Sequence, residues 1–195
     1  IDHVGYLPRL RKDGFRGKIY GTQATLELAR ILLRDTAHLQ EEEARWANKK
    51  GYSKHKPALP LFNGADAERV FPLFEPVLYG EHFHPAPGLR AKYQDAGHIL
   101  GSAMLDLKTE DRTDKPRKIV FGGDLGRPSD PILRTPSQIY NVDYLLLEST
   151  YGARAHGNHD PRSELARVVR ESAERGGPLI IPSFAVGRTQ TLLYL

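Results

Sequence analysis

Hydrophobic and polar residues follow helical and strand periodicities in turn along the 195-residue chain. At the start, apolar residues at helical spacing behind an acidic residue predict a short helix over residues 2–10. A strand is predicted over 18–20, and Thr22 then begins a longer helix. The apolar side of that helix is predicted to be Leu28, Ile31 and Leu32. The chain therefore opens with helices and a strand in alternation.

Residues 35–60 are rich in charge, with three consecutive glutamates from Glu41 followed by several lysines and prolines. Opposite charges four residues apart support a helical first half, and such a run is usually a solvated face. We interpret 35–60 as a charged surface insertion.

The middle of the chain is dominated by strand patterns, which follow a second helix near 65–74. Several segments alternate apolar and polar residues, as half-buried strands do. The predicted strands are 76–79, 89–94, 103–108, 118–122 and 144–147.

The last part of the chain returns to helix and strand. Asp160 as N-cap and Pro161 at the first helical position predict a helix that ends at Gly176. A buried strand over 179–181 and an amphipathic helix over 188–195 follow, and no Gly, Asn or Pro closes that helix. We therefore expect a fragment truncated at both ends. The order of elements predicts an α/β (α+β) fold with helices outside its sheets, which a four-layer αββα sandwich satisfies.

The composition is that of a globular protein, with 39% hydrophobic and 27% charged residues. The net charge of +4 permits a polyanionic partner. The chain has no cysteine, which excludes disulfides and thiolate sites and leaves His and carboxylate groups as metal ligands. The lack of cysteine also fits a reducing cytosol, so we expect a cytoplasmic protein. The apolar runs are too short to span a bilayer, and no membrane partner is expected.

Four residues with metal-binding side chains lie at predicted element ends: Asp2, His3, His98 and Asp124. Each alone has an ordinary explanation as a helix cap, turn or surface residue. Together they form the His and carboxylate set of hydrolytic zinc sites, in which a metal lowers the pKa of a bound water to about 7.

The segments around these residues resemble the metallo-β-lactamase motifs. Asp2-His3 followed by Val-Gly-Tyr-Leu-Pro resembles the end of His-X-His-X-Asp-His, with Ile1 as its last variable position. Gly-His98-Ile-Leu-Gly-Ser-Ala resembles the third motif, and Phe-Gly-Gly-Asp124-Leu-Gly the fourth. The two histidines that should precede Ile1 are absent from this chain.

Two later segments resemble those of the β-CASP nucleases. Glu148-Ser-Thr-Tyr-Gly, with Arg154 and His156 after it, resembles their first motif. The segment over 182–190, Pro-Ser-Phe-Ala-Val-Gly-Arg-Thr-Gln, resembles the entry into their second domain. The resemblance implies a partial metallo-β-lactamase sandwich over 1–182, without its N-terminal strands, and the start of a β-CASP domain over 183–195.

The resemblance also implies a two-zinc centre. Asp2, His3 and Asp124 would bind one Zn²⁺ and His98 the other, with Asp124 as the bridging ligand. Two metals about 3.5 to 4 Å apart would clamp the attacking and leaving oxygens of a phosphodiester. Catalytic roles then fall to Asp2, Asp124 and Glu148, the last orienting a ligand or assisting proton transfer. The alternative for Glu148 is a strand-end residue in an ion pair.

Ser183 and Arg188 are the candidate substrate-binding residues, since an arginine at the domain junction can hold a phosphate by a bidentate contact. A packing or capping role is the alternative. The remaining loop histidines His82, His84, His156 and His159 are interpreted as surface residues, although His82 and His84 have metal-like spacing.

The implied activity is zinc-dependent phosphodiester hydrolysis of single-stranded RNA by the parent protein, endonucleolytic or exonucleolytic, with a homodimer allowed. DNA-repair relatives more often carry Asp at the Glu148 position, which favours RNA. The alternatives are a small-ester or thioester hydrolase of the same fold and a non-catalytic RNA-processing subunit. We expect the isolated chain to bind zinc weakly or at one site and to be inactive, because its ligand set is incomplete.

Overall fold

Residues 3–110, 115–154 and 160–195 are described by the structure, which is a computed structural model. Asp2, His156 and His159 therefore lie outside the described residues. In chain order the elements are α1 (Leu7–Lys12), β1 (Ile19–Gly21), α2 (Gln23–Lys50), α3 (Gly64–Glu68), a 3-10 turn (Phe71–Leu73), β2 (Phe74–Pro76), β3 (His82–Ala86), β4 (Leu89–Asp95), β5 (Ala103–Thr109), β6 (Lys118–Phe121), β7 (Tyr144–Leu146), α4 (Pro161–Arg175) and α5 (Arg188–Tyr194).

The strands form two sheets. β1 and β2 pair in parallel, and the larger sheet has the order β3-β4-β5-β6-β7. Neighbours in the larger sheet are antiparallel up to β6, and β7 joins β6 in parallel. The predicted mixture of helices and sheets is confirmed.

The sheets are joined through aromatic side chains and a hydrogen bond. The Tyr20 and Phe83 rings lie 4.8 Å apart between their centroids, and Phe83 packs on Tyr93 at 5.2 Å. The Tyr93 hydroxyl donates to the carbonyl of Tyr20 at 3.0 Å. The two sheets therefore hold each other in place beside the start of α2.

The apolar core lies where α2 meets α3 and the smaller sheet. Its buried members are Ala29, Leu33, Ala37, Phe62, Ala67, Val70 and Phe71. This corrects the predicted apolar side of α2, since Ile31 is 63% exposed while Ala29 and Leu33 are buried. The small alanines let neighbouring segments approach α2 closely. The prediction was wrong because it considered only the large apolar residues of the helix.

The charged segment 35–60 begins as the second half of α2, which continues to Lys50, so its predicted helical first half is confirmed. Its alanines Ala37, Ala44 and Ala47 are buried, so this half is more than a solvated face. That the segment is an insertion stays a prediction.

Five predicted strands are confirmed, over 18–20, 89–94, 103–108, 118–122 and 144–147, and the other two strand predictions need correction. β2 begins two residues before the strand predicted over 76–79, and β3 is an additional, largely exposed strand. Residues 179–181 are not a strand, and Ile180 is 83% exposed. A short apolar run does not by itself specify pairing or burial. The second predicted helix is also shorter, ending at Glu68 before the 3-10 turn that contains Pro72.

The local signals for α4 are confirmed. Asp160 accepts hydrogen bonds from the backbone N–H groups of Arg162 and Ser163, Pro161 is the first helical residue, and Gly176 ends the helix with φ of 69°. α5 begins at Arg188, as predicted. Across the described ranges, we find no helix with the length and apolar character that crossing a membrane requires.

Candidate metal centre

Three of the predicted metal-binding side chains lie at element ends and point to one region. His3 stands in the turn before α1, His98 in the loop between β4 and β5, and Asp124 in the loop after β6. β4 and β6 both flank β5, so their loops are neighbours at one edge of the sheet. Rigid elements thus bring the ends of separate chain segments together.

Asp124 lies between the two histidines. Its Oδ1 is 3.7 Å from Nε2 of His3, and its Oδ2 is 3.7 Å from Nε2 of His98. The side chains are exposed by 58% (His3), 45% (Asp124) and 43% (His98), so they remain open to solvent and ligands. Each carboxylate oxygen therefore faces a different imidazole.

These separations fit a cation better than a direct hydrogen bond. A nitrogen–oxygen distance of 3.7 Å is too long for a hydrogen bond. Ligand atoms about 2.0–2.2 Å from a tetrahedral cation lie roughly 3.4 Å from each other. In the described part of the chain, no three or more His, Asp or Glu side chains converge on one point as a complete set. The arrangement is two incomplete ligand pairs that share one carboxylate.

Two glycines clamp the loops that carry His98 and Asp124. The N–H of Gly126 donates to the carbonyl of Ala96 at 2.8 Å. A Cβ on Gly126 would lie 1.6 Å from the carbonyl oxygen of Gly97, so only glycine permits this approach. Gly97 itself has φ of 62°, and a Cβ there would lie 2.4 Å from the carbonyl oxygen of Arg134. Both glycines stand in the quoted motifs, but their contact requires the folded structure.

The His98 loop is closed by Ser102 and anchored to α2. The Ser102 hydroxyl oxygen accepts from the N–H groups of His98 at 3.0 Å and Ile99 at 3.2 Å. The carbonyl of Gly101 accepts from the hydroxyls of Thr22 and Thr25, each at 2.7 Å. These positioning residues were not predicted, although Gly101 and Ser102 belong to the motif around His98.

Glu148 holds the loop that carries Asp124. Its Oε1 accepts from the N–H of Leu125 at 3.3 Å, next to Asp124, and its Oε2 accepts from the N–H of Thr150 at 3.1 Å. The Thr150 hydroxyl and then the N–H groups of Thr150 and Leu125 lower the pKa of the Glu148 carboxyl, and His98 lowers it further. Among the described residues its hydrogen bonds come from this network rather than from a lysine or arginine.

Glu148→Gln is expected to weaken cation binding to the intact protein by about 10- to 100-fold. Both carboxylate oxygens accept from N–H groups, and a glutamine would turn an NH₂ group toward one of those donors. The change can be measured by zinc titration against a competing chelator. Glu171→Gln, in a surface pair with Arg167, is the control and should leave affinity unchanged. Equal affinity of the Glu148 variant and wild type would contradict the positioning role.

The stability of the folded protein should depend on the protonation of the Glu148 carboxyl, and the sign of this dependence follows from the lowered pKa of that group. A folded-state pKa below the usual 4.5 means that the Glu148 contacts add stability above that pH and lose it as pH falls through the lowered pKa. A carbon-13 NMR titration should place the Glu148 midpoint below 4.5. A midpoint at or above that value would show that the carboxylate is not held by these donors.

Ser183 and Arg188 lie on the exposed segment before and at the start of α5. Nη1 of Arg188 donates to the carbonyl of Pro182 at 3.5 Å. A Cβ on Gly187 would lie 3.1 Å from Ile99, which follows His98, so this segment borders the His98 loop. The substrate-binding role of Ser183 and Arg188 stays a prediction.

His84 does not join the candidate centre. It lies on β3, at the opposite edge of the larger sheet from β7, and pairs with Glu110 at 3.3 Å.

The chain is similar along its whole length to several curated proteins. It is 33% identical over 196 residues to ribonuclease TTHA0252 of Thermus thermophilus, covering 100% of this chain and 40% of that protein. It is 29% identical to the transcription termination factor FttA of Methanocaldococcus jannaschii, covering 99% of this chain and 28% of the relative. It is 31% identical to the endoribonuclease ysh-1 of Neurospora crassa, covering 100% of this chain and 22% of the relative. No family model matches the chain.

The mixed arrangement of helices and sheets agrees with the metallo-β-lactamase fold of these relatives, a fold class that implies metal ions. The motifs at Glu148 and over 182–190 point to the β-CASP group within that class. Over its whole length the chain is similar to β-CASP metallo-β-lactamase nucleases, as its motifs predicted. It spans less than half the length of these relatives. The proposed domain boundaries at 182 and 183, the homodimer and the cytoplasmic location stay predictions.

Proposed function

We propose that the intact protein hydrolyses phosphodiester bonds of single-stranded RNA with the help of two zinc ions. The observation that carries this proposal is Asp124, with each carboxylate oxygen facing a different histidine at 3.7 Å. The relatives named as ribonucleases support RNA as the substrate.

His3, His98 and Asp124 would hold the cations, together with Asp2, which lies outside the described residues. When bound, the cations would polarise the phosphate and lower the pKa of water. The two distances of 3.7 Å and the wholly nitrogen and oxygen donor set are compatible with zinc. The isolated chain would bind weakly or at one site, because each described pair supplies only two ligands.

The other residues of this centre position its loops or the RNA strand rather than hold the cations. Glu148 fixes the Asp124 loop through the N–H of Leu125, and Ser102 fixes the His98 loop through two N–H groups. Arg188 would contact a phosphate oxygen of the bound strand, since the segment before it borders the His98 loop through Gly187 and Ile99. Ser183 would donate a hydrogen bond to the same strand.

The test is cleavage of a 5′-labelled single-stranded RNA by the intact protein, compared with single-stranded DNA of the same sequence and with a small thioester. RNA cleavage that is abolished by a chelator and restored by zinc is the expected result. Thioester hydrolysis without RNA cleavage would favour a small-ester hydrolase and overturn the proposal. No activity on any substrate, with cations bound, would favour a non-catalytic subunit.

A further inference from the structure

A cationic groove lies between α1 and α3, outside the cluster of His3, His98 and Asp124. It encloses about 280 Å³. Its lining residues are Pro8, Arg11, Lys12, Arg16, Asp66 and Arg69. We call it the α1–α3 groove.

The charges in this groove do not balance. Asp66 is 4% exposed and is its one acidic lining residue. It pairs with Lys12 at 3.4 Å and with Arg69 at 3.1 Å. One carboxylate opposes four cationic side chains, and such a surplus of positive charge attracts a polyanion.

Arg11 and Arg16 supply hydrogen-bond donors beside this surplus charge. Nε of Arg11 is buried and has no hydrogen-bond partner among the described residues. Nη1 of Arg16 donates to the carbonyls of Arg11 at 3.0 Å and Phe15 at 2.9 Å, which holds its guanidinium against the backbone. A guanidinium has five N–H donors and can bind phosphate oxygens in a bidentate manner, so both arginines keep N–H groups other than these two with which to bind a phosphate.

The groove is connected to the candidate metal centre by a short stretch of chain. Arg11 follows His3 by eight positions, and α1 occupies most of that interval. At a helical rise of about 1.5 Å per residue, the helical part of that interval, Leu7 to Arg11, spans on the order of 6 Å, and the turn that begins at His3 adds to this separation. A single strand of a few nucleotides spans such a distance.

We propose that the α1–α3 groove binds a backbone phosphate of the RNA strand, away from the bond that is cleaved. This inference rests on the proposed function for its choice of polyanion. The groove adds sequence-independent affinity, since phosphate contacts position a strand without reading its bases.

The experiment measures binding of a fluorescent single-stranded RNA to the intact protein by anisotropy between 50 and 200 mM salt. Arg11→Gln combined with Arg16→Gln is expected to weaken binding roughly tenfold, as loss of a charge-assisted hydrogen bond does. The slope of log affinity against log salt should become shallower by about 0.7, because one phosphate contact on a single strand is lost.

The matched control is Arg45→Gln combined with Arg175→Gln, which removes the same charge from two exposed arginines outside the groove. Binding within twofold of wild type is expected for this control. Arg16→Gln alone, which removes one groove charge and the hydrogen bonds to the backbone carbonyls of Arg11 and Phe15, serves if the double variant does not fold, and it should also weaken RNA binding. Equal losses in the groove and control variants, or no loss in the groove variants, would overturn the inference.

Two further measurements separate this inference from the proposed function. Hydrolysis of bis(p-nitrophenyl) phosphate, which is too small to reach the groove, should be unchanged in the groove variants. A tenfold loss of RNA binding in an intact protein that binds RNA without cleaving it would support the groove and overturn the proposed function. Displacement of RNA by poly-glutamate at equal charge concentration would assign the groove to acidic polypeptides and overturn the inference.

Discussion

Asp124→Asn in the intact protein is expected to lower the rate of RNA cleavage by about 100- to 1,000-fold, the range found when one preorganised electrostatic group is removed from an active site. The two oxygens of Asp124 face His3 and His98 at 3.7 Å each. Asparagine keeps the shape but removes the charge and turns an NH₂ group toward one of the two cation positions. The rate should be measured with labelled RNA at saturating zinc.

The control for this variant is Asp35→Asn, which removes an exposed carboxylate from α2. It should cleave RNA at the wild-type rate. Unchanged cleavage in Asp124→Asn would remove the carboxylate from the reaction and with it the proposed role of this centre.

Gly126→Ala is expected to lower the free energy of unfolding by about 3 kcal/mol, at the upper end of what overpacking costs. The added Cβ would lie 1.6 Å from the carbonyl oxygen and 2.0 Å from the carbonyl carbon of Gly97. Both contacts are to backbone, so no side-chain rotation relieves them. Urea unfolding followed by circular dichroism measures the effect.

Gly177→Ala is the matched control, because a Cβ at Gly177 would have nothing within 4 Å. Its free energy of unfolding should stay within about 0.5 kcal/mol of wild type. A Gly126 variant as stable as this control would show that the two loops are not in the close contact described. Weaker zinc binding should accompany the loss of stability, since the displaced loops carry His98 and Asp124.

The parts of the fold that were predicted from the sequence are those that depend on local signals. The cap and first-turn residues Asp160, Pro161 and Gly176 set the ends of α4, and alternating polarity located β4, β5 and β6. The wrong predictions concern residues whose burial depends on tertiary contacts. The run over 179–181 is apolar but exposed, and the buried face of α2 depends on the alanines that neighbouring segments pack against.

The residues of the candidate centre also separate into those predicted from the sequence and those identified only in the structure. His3, His98 and Asp124 were found from motif resemblance, and the structure brings these three side chains together. The contact between Gly97 and Gly126 was not predicted, because it joins loops that are distant in sequence. Ser102 was missed because its side chain acts on the backbone N–H of His98, a role that many loop serines fill without any ligand.

The central claim is that His3, His98 and Asp124 ligate metal, and anomalous X-ray scattering from zinc-loaded crystals of the intact protein tests it most directly. We expect anomalous peaks about 2.0–2.2 Å from Nε2 of His3, from Nε2 of His98 and from the carboxylate oxygens of Asp124. Zinc peaks confined to other side chains, with none between Asp124 and the two histidines, would contradict it.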